Sequence, residues 1–371
     1  MKTFSQNPFT PTFGSVPPLI AGRDMLIKDI LDGLDNAPGD PNRTTIFVGA
    51  RGTGKTVLLT KIANEASKNG WICVNVYADD GMLDEILIQI KNQAKEQLTS
   101  ESLTFIKSIT IAGTGVSRDM KQSIQKASWR SEISSIIEEL NGKDIGVLIT
   151  VDEVNVKIDE MKTLVKVFQH FVREQKEAAL IMAGLPARVS DLLNDEDVSF
   201  IRRAFQHNLD PIQDNEVHFS IKKTIEFAGR KIENDALDYA VKSVKGFAFL
   251  IQLVGYHMWR QNPEEEIISF DDAVEGVRRA QDDLERMIFG STYRELSDKD
   301  IAFLVAMLED EKYSTVSDIA KRMNVSKKYV GLYRKRLIEH GIIGSVGHGK
   351  VAFDLPMFRE YIQGKTEEEN N

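Results

Sequence analysis

Cysteine is nearly absent: Cys73 is the only one in 371 residues. A lone thiol forbids an intrachain disulfide and any cysteine-cluster metal site, and it fits a reducing cytosol. Long hydrophobic runs are missing as well. No stretch of about 18 apolar residues occurs, and Met1-Lys2-Thr3-Phe4 opens no hydrophobic signal core. The expectation is a cytoplasmic protein with no membrane span and no cleaved secretion signal. Proline is scarce, ten in all, yet Pro8, Pro11, Pro17 and Pro18 crowd the start beside Phe4, Phe9 and Phe13. Residues 1–18 therefore read as an extended arm whose aromatics pack on something. Internal repeats and low complexity are absent, apart from Glu367-Glu368-Glu369 in an acidic tail, 365–371. The remaining composition, 42% apolar and 28% charged, excludes wholesale disorder and fibrous repeats. A chain of this length outgrows a single core, so two or three domains are expected.

Positive charge is in deficit overall and unevenly spread. The net charge is −9, yet between Lys312 and Lys350 nine Lys or Arg face only Asp318 and Glu339. That segment of 39 residues carries +7, on a body carrying −16. Such asymmetry suggests an anion-binding module on an acidic body, a solvated charged face being the plainer alternative.

From Thr44 to about Leu209 strand and helix patterns alternate. Thr44–Val48, Trp71–Tyr77, Ile145–Val151 and Ala179–Ala183 read as strands. Between them, Leu83, Ile86, Leu87, Ile90, Ala94 and Leu98 have helical spacing, as do Trp129, Ile133, Ile136, Ile137 and Leu140. Met161, Leu164, Val165, Phe168 and Val172 mark a further helix. This alternation is the signature of a parallel α/β sheet. From about Ile212 to Gly290 helical patterns take over, as in Val217/Ile221/Ile225/Ala228 and Ala273/Val274/Val277/Ala280/Leu284. Ser297-Asp298-Lys299-Asp300 looks like a capping box opening a third unit.

Two motifs carry chemistry. Gly49-Ala50-Arg51-Gly52-Thr53-Gly54-Lys55-Thr56 matches G-x-x-x-x-G-K-[ST] between a strand and an amphipathic helix, with Val57 following. The glycines let successive N–H groups face inward around phosphate oxygens, and the helix adds its positive end. Lys55 would reach the β- and γ-phosphates of ATP, and the Thr56 hydroxyl would ligate Mg²⁺. Arg51 reads as solvent-facing. Asp152 and Glu153 end the apolar strand Ile145–Val151, where an open α/β sheet exposes its ligand edge. There Asp152 can hold Mg²⁺ and Glu153 can orient the attacking water; two helix-capping carboxylates are the alternative.

With these motifs in this order, the chain resembles the AAA+ ATPases. More narrowly, it is similar to the branch shared by origin-recognition initiators and signal-transduction-type ATPases of bacteria and archaea. The resemblance covers roughly 17–360. It implies a P-loop NTPase core at 19–212, an all-α lid at 213–296 and a C-terminal winged helix at 297–364. Pro17–Asp24 resembles that group's N-terminal box, which would set Ile20, Gly22 and Arg23 against the adenine and ribose of ATP or ADP. Arg202 and Arg203 stand where relatives place an arginine that reaches a neighbouring subunit's phosphate, which implies a nucleotide-dependent homo-oligomer with Arg203 catalytic. A surface pair binding Asp195, Glu196 and Asp197 is the alternative. Two departures matter. The fourth strand ends Ile181-Met182-Ala183-Gly184 with nothing polar, and Gly246-Phe247-Ala248-Phe249 lacks the lid arginine. Losing charge-stabilising donors costs about a hundredfold each, which implies slow hydrolysis and a switch rather than a motor.

At the C-terminus, helices at Thr315–Met323 and Lys327–His340 precede strands Ile342–Val346 and Val351–Leu355 around Gly347-His348-Gly349. That is helix-turn-helix with a wing. Lys327, Lys328, Arg334, Lys335, Arg336 and Lys350 are the candidate contacts to double-stranded DNA. A signalling or scaffold ATPase whose winged helix meets proteins is the competing reading. A remodelling ATPase of ordinary turnover is weakened by the lack of an evident pore-loop aromatic.

Overall fold

In the computed structural model, which describes residues 6–12, 14–103 and 118–369, the chain divides into two units. The first holds Asp24–Val48 and Lys55–Asn208; the second holds the described residues up to Arg23, then Gly49–Gly54 and those from Leu209 on. Phe4 and Phe13 of the expected arm lie outside the described residues.

In the first unit α1 (Asp24–Asp35) precedes β1 (Thr44–Val48), and α2 (Lys55–Lys68) leads to β2 (Ile72–Tyr77). Then come α3 (Met82–Gln93), a short α4 (Ser100–Leu103), α5 (Arg118–Asn141) and β3 (Val147–Asp152). The unit closes with α6 (Asp159–Arg173), β4 (Ala178–Gly184), α7 (Pro186–Asn194) and β5 (Phe205–Asn208). The strands are all parallel, in the order β2-β3-β4-β1-β5. Every residue of β3 and β4 is buried, as their largely apolar runs require when helices cover both faces. Because β4 lies between β1 and β3, the strand order reverses there, and such a switch opens a ligand crevice at the carboxyl ends. Val48 stands opposite Gly184 and Val151 opposite Met182, so β1 and β3 end at the same edge.

Helical spacing located most of this core, with two differences. Val172 is 47% exposed, and Phe171 takes the inward place, edge-on to Phe168 at 6.4 Å. Strand β5 has no apolar run to reveal it; Phe205-Gln206-His207-Asn208 is an edge held by its pairing with β1.

The second unit begins with the arm, whose Phe9 is buried. A Cβ at Gly255 would come within 2.3 Å of the Phe9 ring, so that glycine makes the seat. Asn7 Nδ2 donates to Tyr256 O at 3.0 Å and pins the arm beside it. Next are α8 (Asp214–Phe227), β6 (Lys231–Ile232), α9 (Asn234–Val244), α10 (Ala248–Trp259), β7 (Ile267–Ile268) and α11 (Phe270–Leu284). One π-helical turn, Glu285–Phe289, joins α11 to α12 (Gly290–Glu295). The two-residue pair β6–β7 is too short to leave a periodic signal. Val274, placed inward by spacing, is 38% exposed.

From α13 (Asp298–Met307) the order is β8 (Ser314–Thr315), α14 (Val316–Arg322), α15 (Lys327–Glu339), β9 (Ile343–Gly347), β10 (Lys350–Phe353) and α16 (Phe358–Glu369). The strands pair as β8-β10-β9, which gives a winged helix. The capping box is present: Asp300 N–H donates to Ser297 Oγ at 3.3 Å and Ser297 N–H to Asp300 Oδ2 at 2.9 Å. The helical region and the winged helix, read from sequence as separate at 296/297, share one hydrophobic core. Phe289 meets Phe358 at 5.4 Å and Tyr293 meets Tyr361 at 6.0 Å, edge-on in both cases.

Two outcomes follow. Phe358→Ala should cost about 3–5 kcal/mol, and urea unfolding followed by probes in α10 and α15 should show both shifting in one transition. Burial pushes the Cys73 thiol up to about 12. A thiol reagent at pH 8 should therefore leave the native chain unlabelled and label it fully in denaturant.

Candidate functional site

The phosphate-loop residues Gly49–Gly54 belong to the second unit. Gly52 (φ 77) and Gly54 (φ 90) take left-handed backbone, which a side chain would strain. Thr53 Oγ1 donates to Ala50 O at 2.9 Å and ties the turn from within. Arg51 is exposed. Against the loop lies the start of α10: Phe249 N–H donates to Gly52 O at 3.3 Å, and a Cβ at Gly52 would fall 2.1 Å from Phe247 ring carbons. Phe247 stands where the lid arginine was sought, and sequence reading noted only the missing charge.

The N-terminal box lies in the same unit. Ile20 is half-buried, and Gly22 (φ 64) sits against Ile212 and Glu216. Arg23 Nη2 donates to Asp210 O at 2.7 Å, while its buried Nε has no partner. Burial lowers the Arg23 pKa, and the Asp210 carboxylate partly offsets this.

In the first unit Lys55 opens α2 and is buried, with Thr56 and Val57 half-buried behind it. Thr56 Oγ1 donates to Asp152 Oδ2 at 2.5 Å, which joins the head of α2 to the end of β3. Asp152 is buried, and its other oxygen accepts from Glu153 N–H at 2.9 Å. Glu153 is exposed and left-handed, with φ 53. Non-glycine residues so held cost of order 1–3 kcal/mol and cluster at functional sites. Beside them the end of β4 is apolar, with Gly184 packed on Val154. Among the described residues no group of three or more His, Cys, Asp or Glu could hold a metal alone. A hydroxyl and one carboxylate instead suit Mg²⁺, which keeps several waters and substrate phosphates as ligands.

Two of the three carboxylates offered as partners for Arg202 and Arg203, Asp195 and Asp197, are taken by lysines. Lys162 holds Asp195 at 2.7 Å and Lys166 holds Asp197 at 3.2 Å. Arg202 Nε donates to Leu193 O at 2.6 Å. Arg203 is exposed and has no carboxylate partner among the described residues.

The six candidate DNA contacts divide. Lys327, Lys328 and Lys335 are exposed on α15. Arg334 Nη2 donates to Ser345 Oγ at 3.0 Å, bracing α15 against the wing, and Lys350 Nζ lies 4.2 Å from the Tyr313 ring centre. Arg336, though exposed, is engaged within the fold. Its Nε donates to Asp300 Oδ1 at 3.0 Å and its Nη2 to Ser297 Oγ at 2.7 Å, and Asp300 is buried. Withdrawing Arg336 would leave buried Asp300 without its counter-charge, held by the two Ser297 donors alone.

A family model described as a domain of unknown function (DUF8462) matches residues 286–362, from the π turn to α16. No curated protein matches the chain. Among solved structures, the Aeropyrum pernix ORC2 protein in its ADPNP–ADP complexes aligns with TM-score 0.58 and 13% identity, over 96% of this chain and 98% of that one. Its ADP form gives 0.54 and 14% identity, over 97% of each chain. Cdc6p from Pyrobaculum aerophilum covers 97% of each at 16% identity, with TM-score 0.49. The likeness to the ORC2 structures establishes the fold: a parallel sheet covered by helices, with a helical region following it in sequence.

The backbone at Glu153 yields a test. Glu153→Gly should raise stability by about 0.5–1 kcal/mol by relieving the left-handed conformation, whereas Glu153→Gln should leave it unchanged. Thermal unfolding of the two variants reads the difference.

Proposed function

We propose that the chain is an ATP-binding AAA+ switch with slow Mg²⁺-dependent hydrolysis, coupled to a winged helix that binds duplex DNA. The observation carrying the nucleotide half is the Thr56–Asp152 hydrogen bond, which pairs two hard oxygen ligands at the carboxyl edge of the sheet. The phosphate-loop sequence with left-handed Gly52 and Gly54 supports it, and the ORC2 protein of similar fold was solved in ADPNP–ADP complexes. Gly49–Thr56 would bind the phosphates, with Lys55 neutralising charge, and Ile20, Gly22 and Arg23 would meet the base and ribose. Thr56 and Asp152 would hold Mg²⁺, whose charge would offset that of the phosphates. Glu153 would orient the attacking water and accept its proton. The apolar end of β4 and Phe247 offer no charged donors, which fits slow turnover. Exposed Arg203 would act across a nucleotide-dependent homo-oligomer.

Lys55→Ala should abolish most ATP affinity in calorimetry. Glu153→Gln should retain bound ATP and stop phosphate release. Parental hydrolysis by Glu153→Gln would remove Glu153 from the water-orienting role.

Exposed Lys327, Lys328 and Lys335 support the DNA half. With about three phosphates met at once, log affinity against log salt should have a slope near −3 for the full chain. Lys328→Ala with Lys335→Ala should flatten it by about two units. Leu332, 66% exposed between those lysines, and Val346, 54% exposed on the wing, favour a second reading, a scaffold whose winged helix docks a protein. Absent or salt-independent DNA binding would select that reading.

A further inference from the structure

The segment joining α9 to α10 touches two parts of the second unit at once. Lys245 (φ 49) and Gly246 (φ 71) are both left-handed, and Ile212 N–H donates to Gly246 O at 2.9 Å across the corner. A Cβ at Gly246 would lie 2.5 Å from Ile212 O, so the corner requires glycine. On one side, Lys245 Nζ meets Glu360 Oε1 of α16 at 2.8 Å. On the other, the next residue, Phe247, lays its ring on Gly52, and Phe249 binds the Gly52 carbonyl. Near the ion pair is a cavity of about 350 Å³ lined by Lys245, Glu285, Phe289, Glu360 and Tyr361. It adjoins the π turn, a local irregularity of the kind found at functional sites.

We infer that Phe247 is a positioning residue for the phosphate loop, and that the Lys245–Glu360 pair makes its seat depend on the winged helix. The inference rests on nucleotide binding at that loop. In a trans peptide the carbonyl and the next N–H point opposite ways. Holding Gly52 O toward α10 therefore turns the Thr53 N–H away from α10, fixing one donor of the anion cradle before any phosphate arrives. The ring on Gly52 keeps that peptide from flipping, because glycine alone would leave it free. Glu360 is the winged helix's hold on the residue two places before Phe247. Coupling between sites is reciprocal, so whatever shifts α16 must alter nucleotide affinity, and nucleotide must alter the hold on α16.

The test titrates a fluorescent ADP into the full chain at low ionic strength. Glu360→Gln should weaken ADP binding about two- to fivefold, the ceiling an exposed ion pair sets, and the loss should vanish in high salt. Glu368→Gln, which removes a carboxylate from the same helix, should change nothing. Phe247→Leu should weaken binding about tenfold, Phe247→Tyr should restore it, and Glu360→Gln added to Phe247→Leu should cost nothing more. Should Phe247→Leu fail to fold, Glu360→Lys, which repels Lys245, must exceed Glu360→Gln in its loss. Unchanged or tighter ADP binding in Glu360→Gln overturns the inference while leaving nucleotide binding in place, and so does an equal loss in Glu368→Gln. No ADP binding by the unaltered chain overturns both.

Discussion

The hydrogen bond from Thr56 to Asp152 spans 96 residues of sequence and binds the head of α2 to the end of β3. A carboxylate buried at a sheet edge must have its oxygens satisfied, and Asp152 has one donor on each. The second donor is the N–H of the next residue, Glu153, whose placement the planar Asp152–Glu153 peptide sets. Beyond that peptide Glu153 itself turns left-handed, φ 53, and its side chain is exposed.

Whatever depends on periodicity was legible in the sequence. The buried strands β3 and β4 and the inward faces of α3 and α5 announce themselves by apolar runs or helical spacing. The phosphate loop is legible for another reason: its glycines are demanded by local backbone geometry. Elements held by pairing alone were hidden. Strand β5 has an exposed, polar sequence and exists because β1 offers it an edge. Inward places at a helix end were also misjudged, since Val172 and Phe171 differ by 100° of rotation and both are apolar. The domain limit at 296/297 failed to anticipate a shared core because Phe289 and Phe358, 69 residues apart, carry no mutual signal in sequence.

Arginines were the hardest residues to place. Among the described residues six of them cap or brace backbone, Arg23 by donating to Asp210 O. Arg43 donates to Gly33 O and Leu34 O at the end of α1, and fully buried Arg230 donates to Trp259 O and Asn262 O. Arg322 and Arg359 both donate near the end of α13, to Ala306 O and to Leu308 O and Asp310 O. Arg202 donates to Leu193 O. A planar fork with several fixed donors suits this work, and the always-charged group tolerates burial when those donors are used.

That division of labour bears on what the basic segment can recognise. Its formal +7 counts Arg322, Arg334 and Arg336, yet each is engaged within the fold, with Asp310, Ser345 and Asp300 respectively. The exposed cations of α15 are Lys327, Lys328, Lys335 and the Asp300-bound Arg336, so those not held by an acid of the fold are lysines. Base reading in the major groove relies most on bidentate arginine against guanine, whereas lysine offers a mobile point charge suited to phosphate. A C-terminal module that engages its arginines internally and presents lysines around one exposed leucine offers a partner mobile point charges rather than fixed bidentate forks.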